Sequence, residues 1–128
     1  MRKSAFALLS ASLCACSPSP ATFDQAAHAC ASGASHVEVE GRGTVVRVLG
    51  LRDSRSGVHE GFVLRAGSAI ITVEDNVNIT GPIPLHTGDS LTLRGQFECD
   101  DDVIHWTHRD PALRHPPGYI RVGGRTYS

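Results

Sequence analysis

Three histidines, one carboxylate and the only tryptophan lie close together near the C-terminus of this 128-residue chain. They are His105, Trp106, His108, Asp110 and His115. Imidazole transfers protons near neutral pH and binds late transition metals. We therefore predict a ligand site in this segment, with His59 as a further donor from elsewhere in the chain.

Three interpretations of this segment remain open. In the first, a Zn or Cu ion is bound by some or all of His105, His108, Asp110 and His115. In the second, one histidine is a general base oriented by Asp110, and Arg109 or Arg114 stabilises negative charge. In the third, the histidines bond to backbone in an irregular loop and Trp106 belongs to the core.

The spacing of the histidines does not by itself bring them together. On a strand, His105 and His108 would face opposite sides, and the prolines at 111, 116 and 117 disfavour a helix. Convergence therefore requires the strand to end near Thr107 and the chain to turn at Asp110-Pro111. The segment is a weaker metal motif than two histidines one helical turn apart.

Two acidic segments carry weaker signals. Asp100-Asp101-Asp102 could recruit a hard cation, although such a run is more typical of a solvated hairpin tip. Glu74-Asp75-Asn76 ends an apolar run, where binding residues and turn formers are both common.

Residues 1–16 have the features of an export signal. Arg2 and Lys3 precede an apolar run from Ala5 to Leu13, which is shorter than the roughly 20 residues that span a bilayer. The following Cys14-Ala15-Cys16 resembles a bacterial lipobox, which implies a lipidated Cys16 and a membrane anchor at the periplasmic face of the outer membrane. The alternative is cleavage without lipidation, giving a soluble periplasmic or secreted protein.

The composition after the signal argues against nucleic acid as a partner. Without Arg2 and Lys3, ten arginines stand against thirteen Asp and Glu, a formal charge of −3. Such a domain lacks the broad positive field that nonspecific nucleic-acid binding needs. Cys30 and Cys99 are the only cysteines outside the signal, and an oxidising compartment favours a disulfide between them.

The elements that must position these residues are mostly strands. Residues 17–35 read as a tether and a short helix with Thr22 as N-cap, one face carrying Phe23, Ala26, Ala27 and Cys30. Alternating apolar residues from His36 onward predict five strands, the first interrupted at Gly41 and Gly43 and the fifth running from Val103 to Thr107. A terminal hairpin turns at Gly123-Gly124.

This pattern predicts a mainly β fold. We expect residues 36–128 to form a single domain, a small five-stranded antiparallel barrel like the oligonucleotide/oligosaccharide-binding (OB) fold, preceded by the short helix. A small β-sandwich has the same strand spacing and is the alternative architecture.

The chain also resembles a family of small exported bacterial proteins known only as a domain of unknown function. The resemblance covers His36 to the C-terminus. Its most specific part is the motif that starts with His105-Trp106-Thr107-His108 and continues to Asp110-Pro111. The other matching positions are Gly41-Arg42-Gly43-Thr44-Val45, His59-Glu60-Gly61-Phe62-Val63, Asn76, Gly88-Asp89, Arg94-Gly95, His115, Gly118, Gly124 and Tyr127.

The chain departs from that family at three positions. Glu60 stands where the family shows glutamine, and Asp75 and Arg109 each stand where it shows histidine. Aspartate can replace histidine as a metal ligand, but these changes weaken a purely imidazole cluster. The resemblance implies a small barrel and an envelope location, and no established activity.

These observations favour a noncatalytic binding module of the cell envelope with an unknown small ligand or envelope protein as partner. Its ligand site is predicted at His59, His105, Trp106, His108, Asp110 and His115. A metal-dependent hydrolase, acting for example on phosphodiesters through the same residues, is one alternative. A structural adaptor that docks a partner protein through the C-terminal hairpin is the other, so the enzyme question stays open.

Overall fold

The computed structural model describes residues 18–128. The predicted export signal, residues 1–16 with the lipidation site Cys16, lies outside the described residues. In the described part, no helix is long and apolar enough to cross a membrane.

The helix α1 (Phe23–Ala31) begins at the predicted N-cap, Thr22. The Gln25 N–H donates to the Thr22 hydroxyl at 3.3 Å, and the Thr22 N–H donates to the Gln25 side chain at 2.8 Å, which closes a capping box. Phe23 and Ala26 are buried. Ala27, which the spacing assigns to the same face, is exposed, because this short helix buries only a narrow stripe at intervals of three to four residues.

The rest of the described chain is mainly β. The strands are β1 (His36–Ser54), β2 (Gly57–Ala66), β3 (Ala69–Asn76), β4 (Ser90–Glu98), β5 (Val103–His105), β6 (Tyr119–Val122) and β7 (Arg125–Tyr127). A single helical turn, α2 (Val77–Thr80), follows β3. The sequence patterns do not predict this turn.

Five of the strands form a closed ring. The pairings join β1 to β2, β2 to β3, β3 to β5, β5 to β4, and β4 back to β1. The β3–β5 pairing is parallel, so the ring is not antiparallel throughout, because the β4–β5 unit inserts between β1 and β3. The predicted mainly β fold with a short helix is confirmed, while its likeness to the OB architecture stays a prediction.

Strand β1 runs through its glycines without a break. Thr44 pairs with Ser90 of β4 and with Arg65 of β2, so the strand passes from one neighbour to the other at this point. A Cβ on Gly43 would lie 2.6 Å from Leu64 Cγ and 2.8 Å from the Arg65 carbonyl. Glycine is therefore required by close packing where the ring closes, and it does not end the strand.

The core contains apolar side chains from every strand of the ring and from β6. Its fully buried members are Val39, Val45, Phe62, Leu64, Val73, Leu93, Ile104 and Ile120. The alternation of these positions with polar ones along each strand is the period-two pattern on which the fold prediction rests.

A disulfide and a hairpin complete the fold. Cys30 of α1 is bonded to Cys99 after β4, with their Cα atoms 5.4 Å apart, as the cysteine pattern predicts. Strand β6 pairs with β4, and β6 and β7 form the predicted hairpin. Gly123 and Gly124 both have positive φ, 57° and 75°, as a two-residue turn of this kind requires.

Candidate functional site

The histidine-rich segment leaves its strand earlier than its sequence suggests. Strand β5 ends at His105, two residues before the predicted end at Thr107. Trp106 then adopts a left-handed backbone conformation, with φ at 58°. This conformation costs a non-glycine residue about 1–2 kcal/mol. The surrounding structure must therefore hold Trp106 in place, and the regular strand does not continue past this residue.

Two glycines allow the segment after β5 to lie against the sheet. A Cβ on Gly95 would lie 2.6 Å from the His105 carbonyl. A Cβ on Gly118 would overlap the Trp106 carbonyl and lie 2.9 Å from the His108 nitrogen. The Gly118 N–H donates to the His108 carbonyl at 2.9 Å. Close backbone packing explains why both positions need glycine.

The buried carboxylate of Asp75 connects the histidine-rich segment to β3 and α2. Asp75, at the end of β3, is fully buried. The Thr107 hydroxyl donates to its Oδ1 at 2.7 Å, and the Thr80 hydroxyl of α2 donates to its Oδ2. Burial raises the pKa of Asp75, while these two hydrogen bonds and the nearby His108 and His59 lower it. Asp75 thus joins β3, α2 and the histidine-rich segment.

Asp110 organises the turn that follows. Its carboxylate accepts hydrogen bonds from the backbone N–H groups of Ala112 at 2.8 Å and His115 at 3.2 Å, and from that of Arg114. Burial alone would raise the pKa of Asp110, but the amides of Ala112 and Arg114 together with the Arg114 guanidinium lower it to about 2. The carboxylate oxygens of Asp110 are therefore occupied by hydrogen bonds from backbone N–H groups.

Two histidines are held so that one ring nitrogen is left for a ligand. The Nδ1 of His108 donates to the Arg109 carbonyl at 2.7 Å. The Nδ1 of His59 lies 3.2 Å from the Gly57 carbonyl and 3.1 Å from the Ser54 hydroxyl, whose own proton is donated to the Gly57 carbonyl at 3.0 Å, so that this hydroxyl accepts from Nδ1. A carbonyl oxygen can only accept, so Nδ1 carries the proton in each neutral ring. The Nε2 atoms then carry lone pairs that can accept a hydrogen bond.

These residues line an open cleft of about 710 Å³. Its walls are the end of the β1–β2 hairpin, the end of β3 with α2, and the chain between β4 and residue 114. Five of the six predicted ligand-site residues lie in its lining: His59, His105, Trp106, His108 and Asp110. A pocket of this size accommodates a small organic ligand.

One carboxylate, that of Glu74, joins an arginine and a histidine at one side of the cleft. Arg52 Nη2 lies 2.6 Å from Glu74 Oε1, and His105 Nδ1 lies 3.9 Å from Glu74 Oε2. The register of the strands aligns Arg52 with His59 and His59 with Asn76, so these three residues lie side by side. The Asn76 amide donates to the Ser56 carbonyl at 2.9 Å, which fixes the hairpin turn against β3.

The sixth predicted residue, His115, lies behind Trp106 and does not line the cleft. The two rings have centroids 4.3 Å apart. The His115 Nδ1 donates to the Pro116 carbonyl at 2.7 Å, and its Nε2 is buried without a hydrogen-bond partner among the described residues. His115 therefore supports the tryptophan from the protein side.

The structure shows where the four predicted metal ligands lie. Within residues 18–128, no three His, Cys, Asp or Glu side chains form a group that could hold a metal ion. Three of the four predicted ligands, His105, His108 and Asp110, line the cleft, but Asp110 accepts hydrogen bonds from backbone amides. The fourth, His115, lies behind Trp106. Binding of Zn or Cu stays a prediction.

Sequence reasoning missed several lining residues. Arg52, Ser54, Ser56 and Glu98 have no local motif, and only the pairing of β1, β2 and β3 and the course of β4 bring them to the cleft. Glu74 and Asn76 carried a weak signal, because they end an apolar run. The sequence signal that could have identified these lining residues is a polar residue at the end of each of two neighbouring strands.

Comparison with known proteins identifies the chain by family. No curated protein and no solved structure matches it. One family model matches residues 8–128, which include the whole described part of the chain. The chain belongs to the family described as "Protein of unknown function (DUF3465)".

Proposed function

We propose that this protein is a small binding module of the cell envelope, and that the cleft is its ligand site. The observation that carries this proposal is the convergence of His59, His105, Trp106 and His108 on one cleft from segments more than forty residues apart. A concave site with an aromatic ring and a few fixed polar groups is the usual form of a small-ligand site.

The carboxylates near the histidines already bond to groups of the protein, which favours a binding function over a catalytic one. Asp110, which a general-base mechanism would use to orient a histidine, accepts backbone N–H groups. Asp75 accepts two threonine hydroxyls, and Glu74 is paired with Arg52. These contacts give the cleft a fixed shape, which lowers the cost of ordering it around a ligand.

The position of the cleft supports the OB-like interpretation. It lies on β2 and β3, between the β1–β2 turn with Ser54 and Ser56 and the β4–β5 turn with Asp101. OB-folds bind their ligands at the corresponding strand face and loops.

The envelope location rests on the disulfide and on the first sixteen residues. A disulfide forms and persists in oxidising compartments, so the Cys30–Cys99 bond fits an exported protein. We also propose that Cys16 is lipidated and that it anchors the protein at the periplasmic face of the outer membrane.

A fragment screen followed by NMR tests the proposed site. The ¹⁵N-labelled protein is titrated with a chemically diverse library of small fragments, and amide shifts are mapped on the structure. We expect the responses of the binding fragments to cluster at Ser54–His59 and His105–His108. Absence of any binding fragment, or binding that clusters away from the cleft, would contradict the proposal.

One observation favours the hydrolase as a second candidate. An imidazole whose Nδ1–H donates to a protein oxygen, as in His59 and His108, has its Nε2 oriented for a metal or for accepting a proton. Elemental analysis of the protein after Zn or Cu titration tests the metal-dependent form. Binding no greater than that of a His59→Ala/His108→Ala variant would exclude it.

The adaptor alternative receives less support from the hairpin. Tyr127 is buried and Tyr119 is half-buried, so the two tyrosines do not form an exposed apolar patch. The large exposed apolar side chains of the strands are on β1 and β3, at Val48, Leu49, Leu51 and Ile70.

A further inference from the structure

The charged side chains of the cleft disfavour an anionic ligand. Arg52 and Arg114 are its lining cations, and they stand against the carboxylates of Glu74, Glu98, Asp101 and Asp110. A phosphate-rich ligand would meet an excess of negative charge there, whereas phosphate sites carry an excess of Lys and Arg.

The same carboxylates are poorly placed to hold a cation. Glu74 is paired with Arg52 at 2.6 Å, Glu98 accepts from the Gln96 amide at 2.6 Å, and Asp110 accepts backbone amides. Asp101 is the remaining one, and it is exposed at the rim. A single exposed carboxylate binds an ammonium weakly. The charges of the cleft are thus largely satisfied by the protein.

The groups that remain for a ligand suit hydroxyls. The Nε2 atoms of His59 and His108 accept hydrogen bonds, because their Nδ1 atoms donate to protein oxygens. Arg114 has a side chain 72% exposed and can donate. Trp106 offers an apolar ring surface that packs against the His115 ring on the protein side.

We propose that the ligand of the cleft is a neutral saccharide. Sugar hydroxyls both donate and accept, so one ligand can bond to the two Nε2 atoms and to Arg114, while its C–H face packs on Trp106. The inference rests on the proposed binding function and names its ligand class. A cleft of about 710 Å³ leaves room for more than one sugar unit.

Titration with sugars and charged comparators tests the inference. The protein, purified in the form that the cell produces, is titrated calorimetrically with maltohexaose, cellohexaose and N-acetylchitohexaose, and in parallel with a thymidine oligonucleotide and with spermidine. Emission of Trp106, the only tryptophan of the chain, reports directly on the cleft. We expect saturable binding and an emission change with at least one of the three sugars, and neither with the charged ligands.

Matched variants locate the binding. His59→Ala and Trp106→Ala should each weaken sugar binding by about tenfold or more, as loss of a central contact does. Trp106→Phe keeps an aromatic ring and should retain binding within about threefold by calorimetry, which separates loss of the ring from loss of the fold. Leu113→Ala, at a side chain that is 91% exposed and outside the cleft, should bind like the wild type.

The outcomes distinguish this inference from the proposed function. If none of the sugars binds while fragments or a charged ligand bind in the cleft, the saccharide inference is wrong and the binding module stands. If no sugar, fragment or charged ligand binds in the cleft, both are wrong. Sugar binding that Trp106→Ala and His59→Ala leave unchanged places the saccharide elsewhere and also overturns the inference.

Discussion

At the scale of single residues, the acidic side chains near the histidines bond mainly to the protein itself. Asp110 accepts amides of its own turn, and Asp75 accepts Thr107 and Thr80. Of the histidines that the sequence analysis selects, His59, His105 and His108 line the cleft and His115 does not. The sequence does not show which carboxylates are free, because hydrogen bonds to backbone N–H groups depend on the fold. The sequence also allows Asp110-Pro111 to be interpreted as a turn former.

The acid sensitivity of the protein should depend on Asp110. Its pKa is about 2 in the folded state against an ordinary 3.8, so its stabilising effect is complete above pH 3.8 and is lost as the pH falls through about 2. Asp110→Asn cannot ionise, and its urea-unfolding midpoint should fall less steeply than that of the wild type across this window. Asp53→Asn, at an exposed position of β1, is the control and should keep the wild-type slope. Equal slopes for all three proteins would contradict this role.

The Thr107 hydroxyl should contribute measurably to stability. It bonds to the buried Asp75 carboxylate at 2.7 Å, and a hydrogen bond to a charged group contributes about 1.5–3 kcal/mol. Thr107→Val should therefore lower the free energy of unfolding by about 2 kcal/mol, measured by urea denaturation. Thr72→Val, at a half-buried position of β3, should change it by less than about 0.5 kcal/mol. Similar losses in the two variants would show that the hydroxyl of Thr107 has no special role.

At the scale of elements, the site depends on where β5 ends. The apolar alternation through Val103–Thr107 predicts a longer strand, but the strand ends at His105 and Trp106 takes a left-handed conformation, for which Gly95 and Gly118 leave space. No local propensity favours a left-handed tryptophan, so this early end of the strand could not be predicted from the segment alone. The helical turn α2 had one usable signal, since Asn76 can cap a helix and its side chain accepts the Asn78 N–H.

Substitution of Gly118 should disrupt this corner. A Cβ there would overlap the Trp106 carbonyl and lie 2.7 Å from the Arg94 carbonyl, both backbone atoms that cannot move aside. Gly118→Ala should destabilise the protein by about 3 kcal/mol, the upper end of the range for overpacking, and should shift Trp106 emission. Thermal unfolding followed by fluorescence measures both.

Gly61→Ala is the matched control for Gly118→Ala. Its Cβ would lie 3.3 Å from the Leu49 Cβ and 3.4 Å from the Leu49 Cδ1, contacts that a small shift relieves at this exposed residue, so we expect a loss below about 1 kcal/mol. If Gly118→Ala were tolerated as well as Gly61→Ala, close packing of this corner would be excluded as the reason for the glycine.

At the scale of the whole molecule, the ring of strands could be predicted in outline but not in its pairing. Period-two patterns indicate the strands, the glycines and the hairpin, because these features are local. The parallel contact of β3 with β5 and the closure of β4 on β1 join segments far apart in the chain. The β3–β5 pairing also brings Glu74, with Arg52 bonded to it, to His105, so the composition of the cleft depends in part on the pairings that the sequence leaves open.

The disulfide should account for a large part of the stability of the molecule. It closes a loop of 69 residues in sequence separation, for which chain entropy predicts a stabilisation of about 4 kcal/mol. The Cys30→Ala/Cys99→Ala variant should lose this amount in urea unfolding. Reductant should destabilise the wild type to a similar level and should leave the variant unchanged. A wild type that reductant does not affect would show that the bond contributes little.

The most direct test of the central claim, that the cleft binds its ligand through imidazole Nε2 atoms, is a long-range ¹H–¹⁵N NMR spectrum of the histidine rings. It is recorded at about pH 8, where free imidazole is neutral, with and without the best-binding sugar or fragment. We predict that His59 and His108 carry their protons on Nδ1, and that the ligand shifts their Nε2 signals while the Nδ1 signals stay nearly unchanged. Protons on Nε2, or Nε2 signals that a bound ligand does not shift, would contradict the account.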